Sequence, residues 1–101
     1  MSVVRTRFPE LPWVAGKTPG ERKKAAELAP LTLLEFDVGF EDPATCTRGH
    51  AGYVLEGEVA LDLEGGSLVI GPSEGFFVEP GTPHRARNPG AVPVRLFIHS
   101  F

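Results

Sequence analysis

The sequence predicts an all-β fold, a single small domain built as an antiparallel β-sandwich or barrel. Three observations predict it. Apolar residues recur near every second position across much of residues 31–101. Turn signals interrupt these runs every six to ten residues, which divides the region into about seven short strands. Twelve glycines and ten prolines supply the corners that so many reversals need.

Residues 1–18 read as an extended arm, broken by Pro9 and Pro12 and carrying Trp13, the only tryptophan. Thr18-Pro19 has the form of a helix start, with Pro19 at the first helical position. It predicts one short helix through about Leu28, ended by Pro30. The expected organisation is therefore an N-terminal arm and short helix over residues 1–30, and a barrel domain over residues 31–101. Leu31, Leu33, Phe36, Val38 and Phe40 open the strand region, and Asp42-Pro43 interrupts it. Strands His50–Leu55 and Glu58–Leu63 meet at Glu56-Gly57, with Val59, Leu61 and Leu63 on one face of the second. Gly65-Gly66 is expected to supply the two positive-φ residues of a tight hairpin. Ser67–Ile70, Phe76–Glu79, His84–Asn88 and Val92–Ser100 follow, separated by Gly71-Pro72, Pro80-Gly81-Thr82-Pro83 and Pro89-Gly90. Phe36, Phe40, Phe76, Phe77 and Phe97 read as core.

Composition narrows the function classes. A formal charge of −3 argues against a nucleic-acid partner, and Arg22-Lys23-Lys24 is too short a run to make a basic face. No stretch approaches the ~20 apolar residues that a membrane span requires, so no membrane partner is expected. A single cysteine, Cys46, precludes an intramolecular disulfide. The first twelve residues lack a secretory apolar segment, and the expected compartment is the cytoplasm, where the thiol stays reduced.

Cys46, His50 and His84 are the candidate metal ligands. A soft thiolate and two imidazoles, where they converge, make the ligand set of a zinc or other transition-metal site. On one straight strand Cys46 and His50 would lie roughly 13 Å apart, too far to share an ion. Convergence therefore requires Thr47-Arg48-Gly49 to reverse the chain, which Gly49 permits. In the strand after Pro83, His84, Ala86 and Asn88 share a face opposite Arg85 and Arg87. The arginines belong outside a barrel, so His84 belongs inside. Three protein ligands plus water or substrate is the arrangement of a catalytic or ligand-binding zinc. Iron fits less well, because its familiar site uses two histidines and a carboxylate. The plainer readings are a small buried thiol at Cys46 and histidines that are polar residues facing a wet pocket.

Two stretches within residues 45–88 resemble the motifs of the cupin family, small jelly-roll barrels also described as double-stranded β-helices. The second family motif runs Gly, five residues, Pro, one residue, Gly, two residues, His, three residues, Asn. Gly81, His84 and Asn88 match it, with Ser73 at the opening Gly and Glu79 at the Pro. The first motif keeps its final glycine as Gly57. Its ligand positions hold Ala44, Cys46 and His50 where the family has His, His and Glu. The resemblance implies the jelly-roll fold, a divalent-metal site at Cys46, His50 and His84, a small-molecule ligand and a homodimer. Bare sheet edges invite pairing, and the Trp13 arm could cover one either in its own chain or across a two-fold.

Three functions compete. One is a metal-dependent small-molecule enzyme in which zinc activates water or polarises a carbonyl. Its general acid or base is not evident, since Glu56, Glu58 and Glu79 sit near turns. Another is a barrel that binds a small ligand for sensing, storage or delivery, with or without metal. The third is thiol chemistry by Cys46 with His50 as its base.

Overall fold

The structure is a computed structural model that describes residues 3–26 and 30–101. Nine strands form two antiparallel sheets: β1 (Val14–Ala15), β2 (Glu21–Ala25), β3 (Thr32–Phe36), β4 (His50–Glu56), β5 (Val59–Leu63), β6 (Gly66–Ile70), β7 (Gly75–Val78), β8 (His84–Arg87) and β9 (Val94–Ser100). The larger sheet has the order β1-β2-β3-β9-β4-β7, and the smaller has β6-β5-β8. Side chains alternate across each strand, so each sheet offers one apolar face to the other. Phe36, Val54, Val78, Val94 and Leu96 from the large sheet meet Val59, Leu61 and Ile70 from the small one in a single core. Neighbouring elements pair across long sequence gaps, as in a jelly roll: β3 lies beside β9, and β5 beside β8.

The helix expected from Pro19 to Leu28 does not form over the described residues 19–26. Residues Glu21–Ala25 form β2 and pair rung for rung with β3, from Glu21 opposite Phe36 to Ala25 opposite Thr32. The remaining residues of that expected helix, 27 and 28, lie outside the described residues. Thr18-Pro19-Gly20-Glu21 is a tight turn instead, closed by the Glu21 N–H on the Thr18 carbonyl at 3.1 Å, with Gly20 at φ +88°. Proline second and a positive-φ glycine third are what a type II turn demands. A segment offering only small apolar side chains gains more from five rungs on an exposed sheet edge than from a lone helix. The helical residues of the described chain are a single 3-10 turn, Phe8–Glu10.

The arm covers its own sheet. β1 pairs with the outer edge of β2, while Phe8 and Trp13 lie across the outer face. The Phe8 ring meets Phe97 edge-on at 5.0 Å, and the Lys24 ammonium donates to the Phe8 carbonyl at 2.9 Å. The Trp13 ring packs against the Arg22 guanidinium, the Lys24 ammonium and the Arg95 guanidinium. Beneath it, Glu35 accepts from both Arg22 and Arg95 at 2.7 Å. Leu33 and Glu35, which alternation alone would place in water, are buried for this reason.

Two smaller expectations need correction. The hairpin between β5 and β6 turns at Glu64-Gly65, and only Gly65 has positive φ (+89°); Gly66 already belongs to β6, opposite Leu63. Phe77 is not core: it is 62% exposed and stacks on Phe101 at the surface.

Candidate metal centre

Cys46, His50 and His84 come together at one wall of the interior cavity, and each arrives there for a local reason. His84 opens β8 in the small sheet, where alternation points His84 and Asn88 inward and buries both, while Arg85 is exposed. Cys46 lies opposite His84 and exchanges both main-chain hydrogen bonds with it, at 2.8 and 2.9 Å. Residues directly opposed in an antiparallel pair send their side chains to the same face, so sulfur and imidazole start side by side. His50 opens β4 in the large sheet.

The chain between Cys46 and His50 does not reverse; it crosses from one sheet to the other. Thr47 accepts the Gly81 N–H at 2.8 Å, and Gly49 exchanges main-chain bonds with Phe101 at 3.0 and 2.9 Å. Gly49 does not adopt positive φ. Its lack of a side chain serves packing instead: a Cβ there would sit 2.8 Å from the Phe101 ring and from Pro80.

The three candidate ligand atoms lie within 4.8 Å of one another, and Cys46 Sγ is 3.9 Å from His50 Nε2. Donor atoms around a tetrahedral zinc are separated by roughly 3.3–3.6 Å, given bonds of about 2.0–2.3 Å. A bound ion would have to draw the three atoms inward to those separations. Both imidazoles are held from behind. His84 Nδ1 lies 2.8 Å from the Thr82 carbonyl, which only accepts, so Nδ1 carries a hydrogen and Nε2 is the nitrogen left to face a cation. His50 Nδ1 lies 2.8 Å from Ser100 Oγ, which fixes that ring with Nε2 toward Cys46. Rings pinned through the far nitrogen in this way are what a metal-binding histidine requires. Burial holds His50 below its usual range, with His84 and Arg48 adding to the effect and Asp42 opposing it. Its imidazole is therefore neutral near pH 7 and able to donate its lone pair. The donor set fits a divalent cation of the zinc type.

Beyond this cluster the cavity encloses about 500 Å³. Phe36, Leu61, Phe76, Leu96 and Ile98 give it an apolar wall, and Ala44 adds a methyl group beside the cluster. Glu21, Lys23, Asp42 and Arg48 bring charge.

Asp42 was not evident as a site residue, because Asp42-Pro43 reads as a chain break. Residues 40–46 run back along β8, and Pro43-Ala44-Thr45 bulge out of that pairing. Here the Ala86 N–H donates to Asp42 Oδ2 at 2.8 Å rather than to a main-chain carbonyl. The Asp42 N–H donates to the Ala86 carbonyl at 2.9 Å, and the Arg85 guanidinium holds the Asp42 carbonyl through two bonds. Oδ1 takes no hydrogen bond from the described residues, and since no buried polar side-chain atom among them lacks a partner, it is open to solvent. Asn88 belongs to the scaffold: its Nδ2 donates to the carbonyls of Phe36, Asp37 and Val92, and its Oδ1 accepts from Gly90. His99 lies at the cavity rim with Nδ1 on the Pro30 carbonyl, away from the cluster.

Comparison with known proteins agrees with this architecture. No curated protein matches the chain. Among solved structures, the chain is similar to the polyketide cyclase RemF from Streptomyces resistomycificus (TM-score 0.79, 24% identity, covering 98% of this chain and 79% of that one). It is similar to KdgF from a Halomonas species (TM-score 0.78, 22% identity, 98% and 94% covered). It is also similar to an RmlC-like cupin from Shewanella frigidimarina (TM-score 0.74, 20% identity, 98% and 91% covered). At these identities the likeness speaks for the fold. The family model for the cupin domain matches residues 33–100, from β3 to the end of β9 and through every candidate ligand. The two-sheet jelly roll and that match together place the chain in the cupin domain family.

Proposed function

We propose that this cupin binds a divalent cation, with zinc the best match, through Cys46, His50 and His84, and uses it to hold or transform a small molecule in the adjoining cavity. One observation carries the reading: three candidate ligand atoms within 4.8 Å of one another, with both imidazoles anchored through their far nitrogens. A bound zinc would act as a Lewis acid or activate water. The protein's own part is to fix two imidazoles and a thiolate, exclude water with the apolar wall, and present Asp42 nearby. A cytoplasmic setting, which keeps the thiol reduced, suits this role. A homodimer is also proposed, with the exposed Tyr53, Phe77 and Phe101 as its support; light scattering that gives a monomer at high concentration refutes it.

Metal analysis of protein purified without chelator tests the centre. The expected result is close to one zinc per chain, lost in both Cys46→Ser and His84→Ala. Unchanged metal content in both variants refutes it. A metal-free ligand-binding cupin is the second reading, favoured by Ala44, a methyl group at a position where the family has a ligand.

A further inference from the structure

We infer that Asp42 Oδ1 is the specificity acceptor of this cavity, selecting ligands that present a hydroxyl or other proton-bearing group next to the Cys46/His50/His84 cluster. The inference rests on the proposed metal centre and assigns it a class of ligand.

The observations concern how much of Asp42 is already committed. Its N–H, its carbonyl and its Oδ2 are all engaged with β8, through Ala86, Arg85 and Ala86 in turn. The same strand carries His84. Asp42 is therefore registered against a candidate ligand by three independent sets of hydrogen bonds, which fixes the carboxylate in place before any ligand arrives. Preorganised acceptors of this kind add affinity without an ordering cost on binding. The carboxylate lies on the cavity wall with one oxygen committed and with Oδ1 taking no hydrogen bond from the described residues. An ordinary ladder would fill the Oδ2 position with a main-chain carbonyl, which has no second oxygen to offer. Use of a side chain for that rung leaves a second carboxylate oxygen available, on a residue that lines the cavity.

A ligand reaches that acceptor productively only with a donor. An ionised carboxylate accepts and cannot donate, so a ligand placing an ether or carbonyl oxygen against it meets repulsion. One placing a hydroxyl there gains a charge-assisted hydrogen bond. The apolar wall of Phe36, Phe76 and Ile98 leaves few competing donors. Lys23 and Arg48 on the same lining suit an anionic group elsewhere on the ligand. The class is thus a small hydroxy acid, or an anion bearing an equivalent donor.

Glycolate and methoxyacetate provide the test. Both are small monoanions, and they differ in whether the oxygen beside the carboxylate carries a hydrogen. Binding of each to Co²⁺-loaded protein is measured by calorimetry, for the wild type and for Asp42→Asn. The asparagine can still accept the Ala86 N–H, so the rung is retained while the cavity-facing oxygen becomes an amide N–H₂. Loss of charge affects both probes alike and cancels in the ratio. The wild type is expected to prefer glycolate by about ten- to hundredfold, the worth of a hydrogen bond to a charged group. Asp42→Asn is expected to remove that preference, each probe being compared on protein saturated with Co²⁺. A wild type without preference, or a preference that survives in Asp42→Asn, overturns the inference while leaving the metal centre intact. Co²⁺ binding that ignores Cys46→Ser and His84→Ala is a separate result; it removes the metal centre and this inference with it.

Discussion

Cys46 and His84 face each other across two main-chain hydrogen bonds of 2.8 and 2.9 Å, so the thiol and the imidazole are neighbours by strand register alone. His50 joins them from the other sheet, 3.9 Å from the sulfur. A zinc ion bound there must displace the thiol proton, because the thiolate is the ligand. His50 has no proton to lose near neutrality, since burial, with His84 and Arg48 beside it, holds it below the usual 6.5. Calorimetry in two buffers of different ionisation enthalpy at pH 7.5 should therefore find proton release on zinc binding that disappears in Cys46→Ser. His50 competes with protons only below pH 6.5, and affinity should fall further there. Free zinc at 100 times its dissociation constant should add about 2.7 kcal/mol of stability.

Glu35 ties the arm to the sheet and gives the acid limb of stability a defined cause. Hydrogen bonding from Arg22 lowers its pKa below the ordinary 4.5, Arg95 adds to this, and burial works against them. The unfolded chain therefore takes up this proton at higher pH than the folded one. The stabilisation is complete above the ordinary value and is lost as pH falls through the lower, folded one. Glu35→Gln should cost about 1–3 kcal/mol at pH 7 by urea denaturation. The gap between variant and wild type should narrow as pH falls below 4.5.

Ser73 has φ +67°, the one non-glycine with positive φ among the described residues. It stands where the family motif opens with glycine, and its N–H holds the Val54 carbonyl at 2.9 Å. A side chain in left-handed backbone costs about 1–2 kcal/mol, part of which glycine returns as extra freedom when unfolded. Ser73→Gly should raise stability by about 0.5–1 kcal/mol. No change in the unfolding midpoint contradicts that account.

The strands were legible because alternation is a local property, and β4 to β9 fall within one or two residues of their predicted positions. Gly81, His84 and Asn88 were legible through spacing. Glu21–Ala25 was not, because a run of five residues with four charges carries no period. Its neighbour β3 decides its state, and Glu35 beneath Trp13 is buried by an arm whose path no local pattern encodes. At the cluster, parity placed His84 inward correctly. The route that joins Cys46 to His50 was misread as a reversal, since a crossing between sheets exists only in the assembled fold. Asp42 stayed hidden for the same reason: the rung it replaces belongs to Ala86, 44 residues away.

That crossing has a mechanical consequence. Cys46 and His84 are fastened to the small sheet and His50 to the large one, so a cation gripped by all three would rivet the two layers together at one end of the cavity. The loaded protein would then keep its interior at a fixed width. Stripping the ion would release that seam first, while the far end, closed by Val54, Val59 and Leu96, stays shut.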